Sequence, residues 1–480
     1  MKRTFVSNLI LLMSLNLLIK PFWILGIDRG VQNTLGYETY GMYSNLFTFS
    51  LLLITFLDLG INNFTSSTIA KNKDNIQLYF APLLIFKLAA SVFYFALTLF
   101  LGKLYGYDNY RITLLALLGF NQILSYFYLF FRSVVGGLQL FKTDALLSVI
   151  DRILMIVLCS LMLWTGFLNL SIHSFIYAQT ISYLIAVGVT FFVLKPHLNQ
   201  IKFSFEKGFF LPVLKQMYPY AFLSLLMTLY TRMDNILLQK LIPNGDYHNG
   251  VYASAFRLLE AANMMAALVS MLLLPIFSKM IEKKEKLSPL VQLSSSIMII
   301  PALVLSLTCF AFKDTIMPML YPQSTQYAIE TFGVVILCFF AFAVMYVFGT
   351  LLTANGNLNI LNRLALVALV INAILNYYLI PIKLALGAAV AALVTQMFIA
   401  VTNTYFGIKV LKLKFEPSFY KDFFKTVFLA IFIVLSTKYI FENWIFAMIV
   451  NASLSLFFMI AFKLLEPKDA IKIFKERYAK

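Results

Sequence analysis

Residues 331–353 of this chain read TFGVVILCFFAFAVMYVFGTLLT and contain no charged side chain. About 20 apolar residues in a helix cross the roughly 30 Å hydrocarbon core of a bilayer, so this stretch predicts a transmembrane helix. Apolar stretches of similar length recur along almost the whole chain and predict about fourteen spans. The predicted spans cover residues 5–27, 40–61, 78–101, 112–132, 145–166, 173–194, 219–242, 251–277, 290–312, 329–353, 364–380, 386–408, 423–440 and 445–463.

The composition places the whole chain in lipid. Hydrophobic residues make up 61% of the 480 residues, charged residues make up 12%, and the mean hydropathy is +0.84. A soluble globule could not cover so much apolar surface. We therefore expect an all-α integral membrane protein. Since no long polar segment interrupts the spans, its function must lie within the helix bundle.

The distribution of positive charge predicts the orientation of the chain. Lys and Arg are concentrated in the N-terminus, the C-terminal tail and alternate loops, and they are scarce in the other loops. By the positive-inside rule, both termini face the cytoplasm. The formal net charge of +17 follows largely from this bias, so it indicates contact with anionic lipid rather than with nucleic acid.

Two pairs of motifs indicate an internal repeat. Residues 40–44 read YGMYS and open the second span, and residues 249–253 read NGVYA and open the eighth. Small-residue loops in 131–145 and 348–362 lead into the fifth and eleventh spans. Both pairs relate span n to span n+6, as in parallel repeats of transporters. We expect two pseudo-symmetric six-helix lobes around a central cavity, residues 1–200 and 201–415, and then helices 13 and 14 as a hairpin with a cytoplasmic tail, residues 416–480.

Several spans carry cations in their interiors, where a charge costs about 2.5–3.5 kcal/mol on insertion scales and usually faces a polar cavity. Lys20 and Arg29 lie in the outer half and at the outer end of the first span, Arg232 lies in the seventh and Arg257 in the eighth. If these spans line the gap between the lobes, they provide a cationic lining. Such a lining suits a phosphate-bearing substrate, because guanidinium groups bind phosphate oxygens bidentately.

Two carboxylates accompany these cations. Asp234 lies two residues after Arg232, and Glu260 lies three residues after Arg257 on the same helical face. Asp234 and Glu260 are candidates for coupling transport to a gradient of H⁺ or Na⁺. The structural alternative is that Arg257 and Glu260 form an ion pair and that Lys20 reaches the outer interface. Asp151, Arg152 and Lys87 are weaker candidates for the cavity lining. Snorkelling explains Asp58, which lies near a cytoplasmic end of its span.

The sequence offers no motif for catalysis, for a metal or for a cofactor. It lacks a phosphate-binding loop ending in Gly-Lys-Ser/Thr, a Gly-x-Ser-x-Gly segment and a His-Glu-x-x-His segment. Cys159, Cys309 and Cys338 lie in different spans without paired spacing, and the histidines are scattered. We therefore expect neither an enzyme nor a metalloprotein, and no use of ATP.

Four motifs in order resemble a known family. They are LGYETYGMY at residues 35–43, LDLGI at 57–61, YTRMD at 230–234 and VYASAFRL at 251–258. Their order and spacing resemble Wzx-type O-antigen and polysaccharide repeat-unit flippases of the multidrug/oligosaccharidyl-lipid/polysaccharide exporter superfamily, over most of the chain through span twelve. VYASAFRL is also similar to the eighth span of lipid II flippases, where the arginine faces the central cavity, and this points to Arg257. The denser arginine lining that lipid II flippases have in their first two spans is not evident here.

The resemblance implies a bacterial inner-membrane flippase that moves undecaprenyl-diphosphate-linked oligosaccharide from the cytoplasmic to the periplasmic leaflet by alternating access. Its partners would be this lipid-linked oligosaccharide, membrane lipid and the polysaccharide polymerase or chain-length machinery. The main alternative is a multidrug exporter of the same superfamily that selects organic cations, although the arginine-led interior argues against it. A membrane glycosyltransferase is a third alternative, which the absence of a large extramembrane loop disfavours.

Overall fold

The computed structural model describes residues 2–71, 75–166, 169–198 and 210–465, and every regular element within them is a helix. We number the α-helices in chain order: α1 (Lys2–Phe22), α2 (Arg29–Leu52), α3 (Ile54–Asp58), α4 (Ile61–Lys71), α5 (Asn75–Tyr105), α6 (Asn109–Gly137), α7 (Phe141–Leu147), α8 (Ile150–Trp164), α9 (Ile172–Leu194), α10 (Phe210–Leu241), α11 (Gly245–Glu282), α12 (Ser288–Ala311), α13 (Lys313–Leu320), α14 (Gln326–Ala354), α15 (Leu358–Val410), α16 (Pro417–Ile440) and α17 (Trp444–Ala461). A π-helical segment, Trp23–Asp28, joins α1 to α2, and a 3-10 turn, Lys195–His197, follows α9.

Eleven helices among the described residues are long and apolar enough to cross a membrane. Two of them, Leu11–Leu52 and Leu358–Val410, each bend at a non-helical residue and overlap two predicted spans. The seventh predicted span lies on α10, which is not among the eleven. The other nine helices carry one predicted span each. The predicted fold class, an all-α integral membrane protein, is therefore confirmed.

The first span has an irregularity next to a proline. Pro21 lies in the last turn of α1 and has no backbone N–H to donate, and the chain continues as a π-helical turn over Trp23–Asp28. The chain then bends at Gly36 within α2, where φ is +77°. The first helical segment thus runs about two turns beyond its predicted end at residue 27. Asp28 and Arg29 consequently lie inside a helical segment and not at its outer end.

The LDLG motif forms a break inside the end of the second predicted span, residues 40–61. Leu59 and Gly60 have φ of 48° and 84° and separate α3 from α4. Glycine adopts a positive φ at little steric cost, which accounts for Gly60 at this turn. The break leaves Asp58 at the end of α3, with its Oδ1 3.1 Å from Nζ of Lys87 on α5. Asp58 and Lys87 therefore form an ion pair, and snorkelling alone does not account for Asp58.

The chain forms two compact units, Met1–Gly250 and Val251–Lys480. The first contains α1 to α10 and the first turn of α11, and the second contains the rest of α11 and the helices that follow. An apolar core of the first unit lies among α4, α5, α6 and α9, with Ile69, Phe80, Phe130 and Leu194 all buried. The division at residues 200 and 415, and the pseudo-symmetric lobes around a cavity, stay predictions.

In the second unit the hairpin of α16 and α17 packs against α12. Asn451 on α17 is fully buried, and its Nδ2 donates to Oγ1 of Thr308 on α12 at 3.0 Å. Oγ1 of Thr437 on α16 donates to Oδ1 of Asn451 at 2.9 Å. Side-chain hydrogen bonds of this kind hold membrane helices together. One asparagine therefore joins three helices and attaches the predicted hairpin to the unit.

Candidate functional site

Arg257 and Glu260 lie on α11 in the second unit. Nη1 of Arg257 is 2.6 Å from Oε2 of Glu260, and the two side chains are 17% and 21% exposed. The three-residue spacing places both groups on one helical face, as the sequence predicted. This ion pair lies within one helix. A guanidinium is planar and carries five N–H donors, a geometry that suits carboxylate and phosphate oxygens.

Arg232 and Asp234 lie on α10 in the first unit. Asp234 is 1% exposed, whereas Arg232 is half-buried. The carbonyl oxygen of the next residue, Asn235, accepts hydrogen bonds from Nδ2 of Asn45 on α2 and Nδ2 of Asn249 on α11, both at 2.9 Å. The two charged residues are two positions apart and point to different sides of the helix. Asp234 is thus enclosed beside a buried polar contact, and Arg232 is the more accessible of the two.

The first turn of α11 packs closely against α2 within the first unit. A Cβ on Gly41 would collide with the backbone of Asp246 and Gly250, and a Cβ on Gly250 would collide with the carbonyl of Tyr37. Nε2 of Gln32 donates to the carbonyl of Gly250 at 2.8 Å. Glycine is required at both positions because only a residue without Cβ allows the two backbones to touch.

Two side-chain contacts reinforce this seam between α2 and α11. Nη2 of Arg111 lies 2.6 Å from Oδ2 of Asp246. Tyr107, in the connection between α5 and α6, donates its hydroxyl to Oδ1 of Asn45 at 2.5 Å. Burial raises the pKa of the Tyr107 phenol well above its ordinary value, so it stays a protonated donor at neutral pH. The seam therefore connects α2, α6, α10 and α11.

Arg29 follows the π-helical segment at the start of α2. It is half-buried, and its Nε is enclosed without a hydrogen-bond partner among the described residues. The preceding residue, Asp28, is 3% exposed and accepts a hydrogen bond from the hydroxyl of Tyr40 at 2.8 Å. The π-helical turn thus brings a buried carboxylate and a cation into the interior of the first unit.

Lys20 lies on α1 opposite the junction of α7 and α8. One turn earlier on α1, Nδ2 of Asn16 donates to Oγ of Ser148 at 2.9 Å. Lys20 interacts electrostatically with Arg152 and Asp151 at the start of α8, and more weakly with Arg132 on α6. The side chain is half-buried, and no carboxylate or hydrogen-bond acceptor in the described part of the chain lies within bonding distance of its ammonium group.

Each of the two arginines that act on Lys20 is paired with an aspartate. Nε of Arg132 lies 2.9 Å from Oδ1 of Asp144, and Nε of Arg152 lies 3.4 Å from Oδ2 of Asp151. The Arg152 guanidinium also lies over the ring of Trp23, 5.7 Å from its centroid. We call Lys20, Arg132 and Arg152, together with Asp144 and Asp151, the cation cluster. The buried carboxylate of Asp28 also acts on Arg152, so three carboxylates accompany the three cations.

A family model described as "Polysaccharide biosynthesis protein" matches residues 5–281, which is more than half of the chain. The chain belongs to this polysaccharide biosynthesis protein family. A curated relative, the capsular polysaccharide biosynthesis protein CapF of Staphylococcus aureus, is 26% identical over 223 residues. The match covers 46% of this chain and 54% of CapF, so the chain spans about half the length of this relative.

The fold of this family member is similar to that of solved transporters. A structure of the lipid II flippase MurJ in an inward closed conformation has a TM-score of 0.63 and 15% identity, and the match covers 98% of this chain and 100% of that one. An inward-facing multidrug resistance MATE family transporter of the MOP superfamily has a TM-score of 0.63 and 15% identity. The match covers 84% of this chain and 98% of that chain.

A third similar structure is a MOP superfamily transporter from Pyrococcus furiosus, whose binding pocket is described as having reverse polarity. It has a TM-score of 0.58 and 15% identity, and the match covers 85% of this chain and 95% of that chain. At such identities the likeness shows the fold alone. The predicted membership of a polysaccharide-related family is confirmed by the family model.

The predicted site residues fall into both units. Lys20, Arg29, Arg232 and Asp234 belong to the first unit, and Arg257 and Glu260 belong to the second. Their roles in binding and coupling stay predictions. Sequence reasoning did not single out Arg132, because it stands at the end of its predicted span. Two spacings in the sequence could have pointed to these residues. Lys20 follows Asn16 by one helical turn, and Asp151 and Arg152 follow Ser148 by about one turn.

Proposed function

We propose that this member of the polysaccharide biosynthesis protein family is a flippase for an undecaprenyl-diphosphate-linked oligosaccharide, an O-antigen or other polysaccharide repeat unit. It moves this lipid from the cytoplasmic to the periplasmic leaflet of the bacterial inner membrane by alternating access, with both of its termini in the cytoplasm. The observation that carries the proposal is a set of half-buried cations on the helices of a membrane protein from this family: Lys20, Arg29, Arg232 and Arg257.

The chemistry of such a substrate explains why a protein path is needed. A diphosphate that carries several sugars cannot cross about 30 Å of hydrocarbon unaided, because its charges and hydroxyls would lose their hydration. A polar path between helices shelters the headgroup while the polyprenyl chain stays in lipid. Cations retained at membrane depth compensate the negative charge of the diphosphate during this passage.

Each candidate residue has a defined role in this proposal. Arg257 and Arg232 bind phosphate oxygens through their planar guanidinium groups, and Lys20 and Arg29 add positive charge along the path. Asp234 and Glu260 are the candidates for coupling transport to an H⁺ or Na⁺ gradient. A membrane potential supplies about 2.3 kcal/mol per charge per 100 mV, which is enough to bias the direction of movement. The protein would transport its substrate without transforming it chemically.

Export of organic cations is the second candidate function, because the fold is shared with multidrug resistance MATE transporters. A pocket selective for cations needs uncompensated carboxylates or aromatic faces. Glu260 is paired with Arg257, and Asp58 is paired with Lys87. The half-buried cations therefore favour an anionic substrate over a cationic one.

The test uses the native host with the gene deleted and restored as wild type, Arg257→Ala, Arg257→Lys or Arg363→Ala. Surface polysaccharide and the leaflet location of the undecaprenyl-linked oligosaccharide are measured in each strain. Arg363 lies exposed near the start of α15, so Arg363→Ala is a control for the loss of one arginine. A charge-assisted hydrogen bond contributes about 1.5–3 kcal/mol, so Arg257→Ala is expected to lower transfer by about 10- to 100-fold.

The proposal predicts that the deletion strain accumulates intact lipid-linked units on the cytoplasmic face and that wild type and Arg363→Ala restore surface polysaccharide. Arg257→Lys keeps the charge without the bidentate fork, so it is expected to give an intermediate level. Missing or shortened lipid-linked units in the deletion strain would instead assign the protein to synthesis. Unchanged surface polysaccharide together with new sensitivity to cationic drugs would assign it to drug export.

A further inference from the structure

The hairpin of α16 and α17 in the second unit gathers lysines at one of its ends. Lys412 and Lys414 lie in the connection between α15 and α16, Lys421 and Lys425 lie in the first three turns of α16, and Lys463 follows α17. All five side chains are exposed, and none of them forms an ion pair within the described part of the chain. The proposed orientation, with both termini in the cytoplasm, places this end of the hairpin at the cytoplasmic leaflet.

Aromatic packing holds the three lysine-bearing segments together. The ring centroid of Phe419 lies 5.7 Å from that of Phe415 in the connection and 5.6 Å from that of Phe423. Phe419, Phe423 and Phe462 all pack against the same small apolar core between α12 and α17. The ammonium group of Lys425 lies over the ring of Phe462, 4.2 Å from its centroid. This contact brings Lys425 next to the segment that carries Lys463.

An exposed apolar stripe runs along α16 from the lysines toward the other end of the helix. Its members, Phe424, Phe428, Phe432 and Leu435, are 57–70% exposed and follow one another at spacings of three or four residues, so they share one helical face. Lys421 lies three residues before Phe424, on the same face. The stripe is about 16 Å long at 1.5 Å per residue, close to the roughly 15 Å of hydrocarbon in one leaflet.

The rest of α16 carries no charge that could guide a headgroup across the membrane. No charged residue lies between Lys425 and Lys438. Since a charge in hydrocarbon is costly, a headgroup at the lysines has no polar path along this face to the opposite leaflet. The arrangement therefore fits a lipid that stays in one leaflet and not one that is transferred. Its headgroup must be anionic to complement the lysines, as at other basic sites beside membrane helices.

We propose that this end of the hairpin is a binding site for an anionic phospholipid of the cytoplasmic leaflet. The lipid phosphate lies among Lys421, Lys425 and Lys463, and one acyl chain lies along the exposed stripe. Tyr420, 42% exposed and one turn before Phe424, stands at the level of the headgroup, where tyrosines are enriched in membrane proteins. By contacting α16 and the end of α17 together, the lipid fastens the hairpin at this end. The site is independent of the substrate that the protein transports.

The test is lipid binding to the purified full-length protein in detergent, measured by native mass spectrometry after lipid is removed and added back. The probes are phosphatidylglycerol, phosphatidylcholine with the same acyl chains, and a polyprenyl diphosphate without sugars. One triple variant carries Lys421→Gln, Lys425→Gln and Lys463→Gln, and a second carries arginine at the same three positions and keeps the charge. Each preparation is first checked for monodispersity and for thermal stability without lipid.

A matched control removes three lysines elsewhere in the same unit. Lys279 lies in the last turn of α11, Lys283 and Lys286 lie in the connection that follows, and all three are exposed. The proposed orientation places them on the same side of the membrane as the hairpin site. The variant with glutamine at these three positions therefore has the same loss of charge without a change in the proposed site.

We expect phosphatidylglycerol to bind wild type, the arginine variant and the control variant with equal affinity. The hairpin glutamine variant is expected to bind it about 10- to 100-fold more weakly, because each lysine near an anionic headgroup contributes about fivefold in affinity. Phosphatidylcholine is expected to bind all four proteins weakly.

Four results would overturn the site. They are equal binding of phosphatidylglycerol by wild type and the hairpin glutamine variant, an equal loss in the control variant, equal binding of phosphatidylcholine and phosphatidylglycerol by wild type, and displacement of phosphatidylglycerol by an equal concentration of polyprenyl diphosphate. The last result would make the hairpin a contact for the transported lipid. None of the four bears on the proposed transfer of lipid-linked oligosaccharide, which the strains with restored genes test separately.

Discussion

Removal of Asp58 is expected to destabilise the protein more than removal of its partner, Lys87. The two charges are 3.1 Å apart, and the Lys87 side chain is 0% exposed whereas that of Asp58 is 22% exposed. Asp58→Ala leaves a fully buried ammonium without its carboxylate. Loss of one partner from a buried ion pair costs about 3–5 kcal/mol. The Lys87 ammonium keeps a contact with the Tyr126 ring, 5.2 Å from its centroid, which offsets part of this loss and places the expected cost near 3 kcal/mol.

Removal of Lys87 is expected to destabilise the protein less than removal of Asp58, because the side chain of Asp58 is the more exposed of the two. Lys87→Met leaves Asp58 unpaired but partly accessible to water, so the expected cost is about 1–3 kcal/mol. The double variant buries no unpaired charge and contains an apolar side chain of similar length at position 87. It is expected to lie within about 1 kcal/mol of wild type, because apolar replacement of a buried pair is often neutral. The coupling energy of the cycle should therefore exceed about 2 kcal/mol.

The measurement is the free energy of unfolding of the purified protein in mixed micelles, determined for wild type, both single variants and the double variant. Thermal stability by fluorescence-detected size exclusion gives an independent ranking. Two results would refute the reasoning. One is a loss below about 1 kcal/mol in Asp58→Ala, and the other is a double variant as unstable as the sum of the two single variants.

Two further predictions concern packing within each unit. Gly250→Ala forces a Cβ against the carbonyl of Tyr37, so it is expected to cost about 1–3 kcal/mol in thermal stability measurements, whereas Gly188→Ala, at a position open on all sides, should be neutral. Equal melting of the two variants would contradict the close backbone contact. Asn451→Leu removes the hydrogen bonds to Thr308 and Thr437, so unfolding should become easier by about 1–3 kcal/mol. Its control is Ser436→Ala, at a half-buried position on α16 where the hydroxyl donates to the carbonyl of Phe432 in the same helix. An Asn451→Leu protein as stable as that control would show that the three-helix contact contributes nothing measurable.

Part of the candidate site was accessible from the sequence. The pairing of Arg257 with Glu260 follows from their spacing, because residues three apart share a helical face. The depth of Lys20, Arg232 and Arg257 in the membrane follows from the apolar residues around them. The partners of Lys20 did not follow, since Arg132 and Arg152 come from distant parts of the chain.

The amino-acid sequence by itself determined the helical membrane fold and the family resemblance, because hydropathy, helix period and short motifs are all local properties. Only the tertiary structure decided which charges meet: Asp58 with Lys87, and Lys20 with Arg152 beside the Asn16–Ser148 contact. It also showed that α2 and α11 touch at Gly41 and Gly250. A contact between helices depends on the rotation, tilt and axial position of both, and those are set by packing against neighbouring helices and not by the hydropathy of either one.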